Sequence, residues 1–301
     1  MSRLLFIFLI LTGMASHSQP PFISSIFPPG TVFHKNIPYA GDTVKRHQLD
    51  IYLPAGAGAG ANKPLVVWIH GGAWMLNDKY ADMSYMKNTV RGFIDSGYAL
   101  ASIDYRYSTD SIFPAQIRDC NRALQFLYSH AAEYGYDRNR IALIGFSAGG
   151  HLASLAGLSL NNDVQEFYPS SGKPGFKIKC VLDFYGPSDF LMMVATPDTT
   201  IKVGSDPLSL LLGAIPIHRP DLARRASPST YVDKADPPFF IVQGEKDQSV
   251  PKSQSAVLYS WLKVSGVRAE LTIVPNAPHY GEMFDVQSIR TDLFRFLRQN
   301  L

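Results

Sequence analysis

The chain has 301 residues, 28 basic and 25 acidic, for a formal net charge of +3, and the basic residues form no run of the kind that grips nucleic acid or an anionic membrane surface. Hydrophobic residues make up 46% and aromatic ones 12%, enough for one large core, which excludes a disordered chain and favours a single domain over residues 19–301. A small molecule or a polysaccharide, and no nucleic acid, is the expected partner.

Arg3 precedes the apolar run from Leu4 to Leu11, and small and polar residues then lead to Ser18-Gln19. That layout predicts a secretory signal peptide over residues 1–18, cleaved near Ser16-His17-Ser18, and hence export to the periplasm or beyond. The run is too short to span a bilayer and no cysteine lies near for a lipid, so no stable membrane anchor is expected.

Residues 19–30 are rich in Pro and Ser, and residues 31–38 and 45–53 read as short strands. Ala55 to Ala61 is a Gly/Ala turn. Leu65-Val66-Val67-Trp68-Ile69 is continuous apolar sequence of the type buried on both faces of a sheet, and it runs into His70-Gly71-Gly72-Ala73-Trp74. Met83, Met86, Val90 and Phe93 set a helical spacing over 83–95 that Gly97 ends. Strand and helix then alternate: 98–104 with 115–134, and 140–146 with 148–160. Three more strands follow at 178–184, 238–243 and 269–274, with helices at 252–264 and 286–299. This order predicts an α/β fold with a mostly parallel eight-stranded sheet, helices on both faces and right-handed crossovers. Residues 188–236, proline-rich and carrying Leu191, Met192, Met193 and Leu210-Leu211-Leu212, break the rhythm after the sixth strand and read as an insertion or partial cap. Cys120 and Cys180 make no disulfide framework and read as core residues, although an oxidising compartment would permit a bridge.

A serine hydroxyl is a weak nucleophile, so an enzyme that uses one must expose it, supply a base and stabilise the oxyanion. Gly145-Phe146-Ser147-Ala148-Gly149 matches G-x-S-x-G, a pattern that occurs by chance in about one chain in ten of this length. Here it stands between an apolar strand and a helix, the context of a nucleophile elbow, and Ser147 becomes the candidate nucleophile. The His70–Trp74 loop lies upstream after another strand, where backbone amides can meet an oxyanion. Gly72 is the first choice of donor there, with Gly71 and Trp74 as alternatives, and Ala148 should supply the second amide. His70 is expected to brace the loop. Trp74 reads equally as pocket wall or core packing.

An acid is needed on the loop after a late strand, and Asp247 stands there, with Glu245 and Asp236 as alternatives. Among eight histidines, His279 alone falls on the loop after the last strand, completing the chain order Ser, Asp, His. No H-E-x-x-H, paired cysteines or dense Asp cluster is present, so chemistry without metal or cofactor is expected.

These motifs, together with Asp104-Tyr105-Arg106-Tyr107, Gly150-His151-Leu152-Ala153 and Gly244 to Pro251, resemble the α/β-hydrolase esterases. Within them they are similar to the bifunctional acetylxylan and feruloyl esterase (BD-FAE-like) and hormone-sensitive-lipase-like branch, over residues 45–299. The resemblance implies an eight-stranded hydrolase fold and hydrolysis of short acyl, acetyl or feruloyl esters by an acyl-enzyme route, on a small molecule or an acylated polysaccharide. Two departures stand out: Gly-Gly-Ala-Trp replaces the three glycines of many relatives, and Tyr280-Gly281 replaces a His-Gly pair. Kynurenine formamidases share such a loop, so an arylformamide is the alternative substrate. A small peptidase or amidase, or a non-catalytic binding module, is the remaining alternative.

Overall fold

The computed structural model describes residues 21–56, 62–162, 164–168, 174–193 and 202–301. Eight strands form one sheet: β1 (Val32–Pro38), β2 (Gln48–Leu53), β3 (Lys63–Ile69), β4 (Ala99–Ile103), β5 (Tyr136–Phe146), β6 (Ile178–Phe184), β7 (Phe239–Gly244) and β8 (Ala269–Val274). Their spatial order is β1-β2-β4-β3-β5-β6-β7-β8. The pairings β1/β2 and β2/β4 are antiparallel and all the others parallel, as the alternation of strands and helices predicts.

Alternation along the strands divides the core between the two faces. Leu65, Val67 and Ile69 of β3 join the cluster packed by the helices Ala115–Ser129, Ala148–Ser159 and Ser253–Val264. Val66 and Trp68 point the other way, to the helices Lys87–Asp95 and Gln287–Asn300. A strand covered on both sides has no solvent face, which is why β3 reads as an unbroken apolar run. Cys120 and Cys180 are free and buried, and they belong to the clusters on opposite faces of the sheet, so no bridge joins them.

Several boundaries differ from expectation. The helix foreseen at 83–95 begins at Lys87, because Met86 caps it with φ −103° and ψ 23°, outside helical geometry, although Met83 and Met86 are still buried. The helix foreseen at 115–134 breaks at His130, whose Nδ1 lies 2.9 Å from the Phe126 carbonyl and whose ring stacks on Phe126. Residues 19–30 hold a short helix, Pro21–Ile26, which buries Ile23 and Ile26 against the second cluster. The foreseen signal peptide lies outside the described residues, as does most of the Gly/Ala turn. Within the foreseen insertion, the helices Phe190–Met193, Pro207–Leu212 and Pro220–Ala226 are described, the second capped by the Asp206 carboxylate through the Leu208 and Ser209 amides. Among the described residues, no helix is long and apolar enough to cross a membrane.

Candidate active site

The carboxyl ends of β3, β5, β6, β7 and β8 converge on one cleft. Ser147 follows β5 directly and starts the next helix with φ 53° and ψ −117°, a conformation costing on the order of 1–3 kcal/mol for a residue with a Cβ. The turn closes only because its glycines lack side chains. A Cβ on Gly145 would lie 2.1 Å from the Gly149 carbonyl oxygen, and one on Gly149 would lie 2.0 Å from that of Ile69, in the neighbouring strand. Since backbone surrounds both positions, Gly149→Ala is expected to push β5 from β3, lowering the thermal midpoint by several degrees and labelling of Ser147 by a phosphonate probe by more than about tenfold. A variant with wild-type melting and labelling would refute this account of the turn.

His279 Nε2 lies 2.8 Å from Ser147 Oγ, and His279 Nδ1 lies 2.7 Å from Asp247 Oδ2. An ionised carboxylate only accepts, so Nδ1 carries the proton and Nε2 is left to accept from the serine. Asp247 is held on both oxygens. Its Oδ1 accepts the amides of Ser249 and Val250, both at 2.9 Å, and its Oδ2 also accepts Gln243 Nε2 at 2.8 Å. Gln243, the buried penultimate residue of β7, is fixed in turn by Ser255 and the Val250 carbonyl. The two alternative acids lie elsewhere: Glu245 accepts the Asn276 amide at the surface, and Asp236 accepts Asn161 and the Asp233 amide.

The loop after β3 passes through Gly72, Ala73 and Trp74 with φ of 118°, 51° and 59°. A Cβ on Gly72 would meet the Leu76 carbonyl oxygen at 2.3 Å, so this position requires glycine in both φ and space. The amides of Gly72 and Ala148 have no acceptor in the protein among the described residues. Gly71 differs from its sequence-based assignment: its amide donates to Asp82 Oδ2 at 2.7 Å and is already engaged. His70 braces the loop as expected, stacked on Tyr105 at 4.3 Å with its Nδ1 on the Gly71 carbonyl, and burial pushes its pKa down to about 3.

Trp74 combines both readings. It is 4% exposed, yet borders the cavity, and its indole N–H donates to His151 Nδ1 at 3.1 Å. His151 Nε2 in turn donates to the Ala226 carbonyl, tying the loop to the insertion. Burial lowers the His151 pKa to about 4. A depressed folded-state pKa adds stability that is present above the unfolded value near 6.5 and lost as pH falls towards 4, by up to about 1.4 kcal/mol per pH unit. Asp104 and Asp183, whose carboxyls burial pushes up to about 6, act in the opposite direction over part of this window. The expected result is therefore a difference. Between pH 7 and 5 the urea midpoint of His151→Gln should shift less towards instability than that of wild type, and equal shifts would contradict the assignment.

Above Ser147 opens a cavity of about 1030 Å³. Its walls include Leu76, Met193, Leu208, Ile215, Ile217 and Tyr280, several of them from the insertion, with Asn77 and Asp82 as polar points. Sequence reasoning missed Gln243, Asp82, Tyr85 and Tyr185.

Against known proteins, the BD-FAE family model matches residues 49–262. A solved structure of a truncated carbohydrate esterase from gut microbiota is 30% identical with a TM-score of 0.79, covering 89% of this chain and 96% of that one. A bifunctional GH43-CE of Bacteroides eggerthii is 33% identical with a TM-score of 0.78, over 89% of this chain and 38% of its own. Esterase LipQ of Mycobacterium tuberculosis is 31% identical over 81% of this chain and 56% of its own length. The chain spans about half the length of the curated relatives it matches. With its α/β-hydrolase sheet and a match over most of its length, the chain belongs to the BD-FAE family.

Proposed function

We propose that the protein hydrolyses carboxylic esters through an acyl-enzyme on Ser147. The observation that carries this reading is the continuous chain Asp247–His279–Ser147, with bonds of 2.7 and 2.8 Å and the serine on a strained turn. Ser147 Oγ attacks the ester carbonyl while His279 Nε2 takes its proton, and the developing oxyanion is held by the amides of Ala148 and Gly72. As the tetrahedral intermediate collapses, the C–O bond to the alcohol breaks and His279 returns the proton to the leaving oxygen. Water then attacks the acyl-enzyme, again losing its proton to His279, and the acid and free serine result. Asp247 accepts from His279 Nδ1 and holds the imidazole in the productive tautomer.

For the substrate, we infer short acyl or feruloyl and acetyl esters carried by carbohydrate. The similar carbohydrate esterase from gut microbiota supports this, as does a cavity far larger than an acetyl group needs. The export predicted from residues 1–18 would fit a polymeric substrate outside the cell. Assay on acetylated and feruloylated xylan beside p-nitrophenyl acetate and N-formylkynurenine tests the assignment. Release of acetate or ferulate from xylan is expected; cleavage of the formamide alone would move the substrate to arylformamides, and cleavage of small esters alone would remove the carbohydrate from the reading.

A further inference from the structure

Ser147, Asp82 and Tyr185 all have side chains and all take a positive φ, of 53°, 69° and 48°. Such conformations persist only where the surroundings enforce them, and for an aromatic residue this one is a genuine outlier. The serine is explained by the elbow. The other two meet each other through Tyr85. Asp82 Oδ2 accepts the Gly71 amide at 2.7 Å, and its Oδ1 accepts the Tyr85 hydroxyl. The Tyr85 and Tyr185 hydroxyls are 3.1 Å apart; because Tyr85 gives its proton to Asp82, Tyr185 is the donor between them. The Tyr185 ring then packs edge-on against His279, with centroids 5.0 Å apart. Burial, followed by the neighbouring Tyr185 and Asp82, raises the pKa of Tyr85, and burial, followed by the Asp82 carboxylate, raises that of Tyr185 against the lowering pull of the Tyr85 hydroxyl, so both remain neutral donors. Burial also raises that of Asp82, against the lowering pull of the Gly71 amide, the Tyr85 hydroxyl and the His279 charge.

We propose that Asp82 is a positioning residue serving both halves of the site: one oxygen fixes the oxyanion loop through Gly71, and the other fixes the His279 ring through the Tyr85–Tyr185 phenol pair. Binding the Gly71 amide has a direct geometric consequence. It turns that donor away from the cleft and sets the plane from which the neighbouring Gly72 amide points in. The phenol pair spans from the loop after β3 to the loop after β6, so the oxyanion loop and the base are linked by hydrogen bonds from Gly71 to Tyr185 and then by the ring contact of Tyr185 with His279. Asparagine at position 82 keeps the shape but offers only one accepting oxygen. If that oxygen stays on Gly71, the amide NH₂ faces Tyr85 and the phenol chain must reverse.

This inference rests on Ser147 being the nucleophile, and the test separates the two. Wild type, Asp82→Asn, Asp82→Ala, Tyr185→Phe and Ser147→Ala are compared for the rate constant of phosphonate labelling, for kcat and KM on p-nitrophenyl acetate per labelled site, and for thermal midpoint. Loss of an oxyanion donor lowers rates by about 10²–10³-fold, so a misaligned one in Asp82→Asn should cost about tenfold and Asp82→Ala about 10²-fold, in labelling and kcat alike, with KM within about twofold. Tyr185→Phe, which leaves the Gly71 bond intact, should lose several-fold in the same two quantities and keeps the proposal testable if the Asp82 variants fail to fold. Wild-type rates per labelled site in Asp82→Asn and Tyr185→Phe would overturn the proposal. Failure of wild type to be labelled at Ser147 would instead overturn the serine reading.

Discussion

Replacing Ser147 with alanine is expected to lower kcat on a short acyl ester by about 10⁴–10⁶-fold, because no covalent intermediate can form without Oγ. The residue keeps its Cβ and its unusual φ, and among the described residues Oγ bonds only to His279, so little of the described fold depends on the hydroxyl. The variant should therefore melt close to wild type. What activity remains comes from substrate binding and the unoccupied amides of Gly72 and Ala148, which still polarise the carbonyl towards water. Kinetics on p-nitrophenyl acetate with a parallel melting curve checks both halves. A variant retaining more than about one per cent of kcat would place the nucleophile elsewhere.

Asp247→Asn is expected to cost about 10³–10⁴-fold in kcat with the fold intact. The argument lies in the acceptor count. Oδ1 of Asp247 meets two backbone amides, those of Ser249 and Val250, which cannot turn into acceptors. An asparagine must therefore place its oxygen there and its NH₂ towards His279 and Gln243. Facing a donor, His279 Nδ1 must become the acceptor, which puts the proton on Nε2, the atom required to take the proton of Ser147. The imidazole is then present in place but in the wrong tautomer. Restored activity at raised pH, where hydroxide replaces the base, would mark this cause, whereas a pH-independent loss would point to disordered geometry.

The sheet was legible because residues 65–69 of β3, 141–144 of β5 and 180–182 of β6 are buried and carry short apolar runs. Helix starts were less so. Met83 and Met86 keep helical spacing and are buried, but the helix starts only after Met86, whose non-helical φ and ψ leave no mark in the periodicity. Ser147 could be singled out from G-x-S-x-G and its strand-helix context, and Asp247 and His279 from strand-end placement and chain order; in the structure His279 lies within hydrogen-bonding distance of both Ser147 and Asp247. The sequence favours Gly72 over Gly71 as an amide donor but hides the reason, since what occupies the Gly71 amide is a carboxylate eleven residues on. Gln243 looked like the end of an apolar strand. Tyr85 and Tyr185 meet across a separation of 100 residues, where no local pattern connects them.

The most direct test of the account is covalent: wild type and Ser147→Ala are incubated with an alkyl phosphonate, and the adduct is located by intact mass and peptide mapping. One adduct per chain, on the peptide carrying Ser147 and missing from the variant, is the result predicted. No adduct on the wild type, or an adduct at another residue that persists in Ser147→Ala, would contradict the claim that Ser147 is the nucleophile.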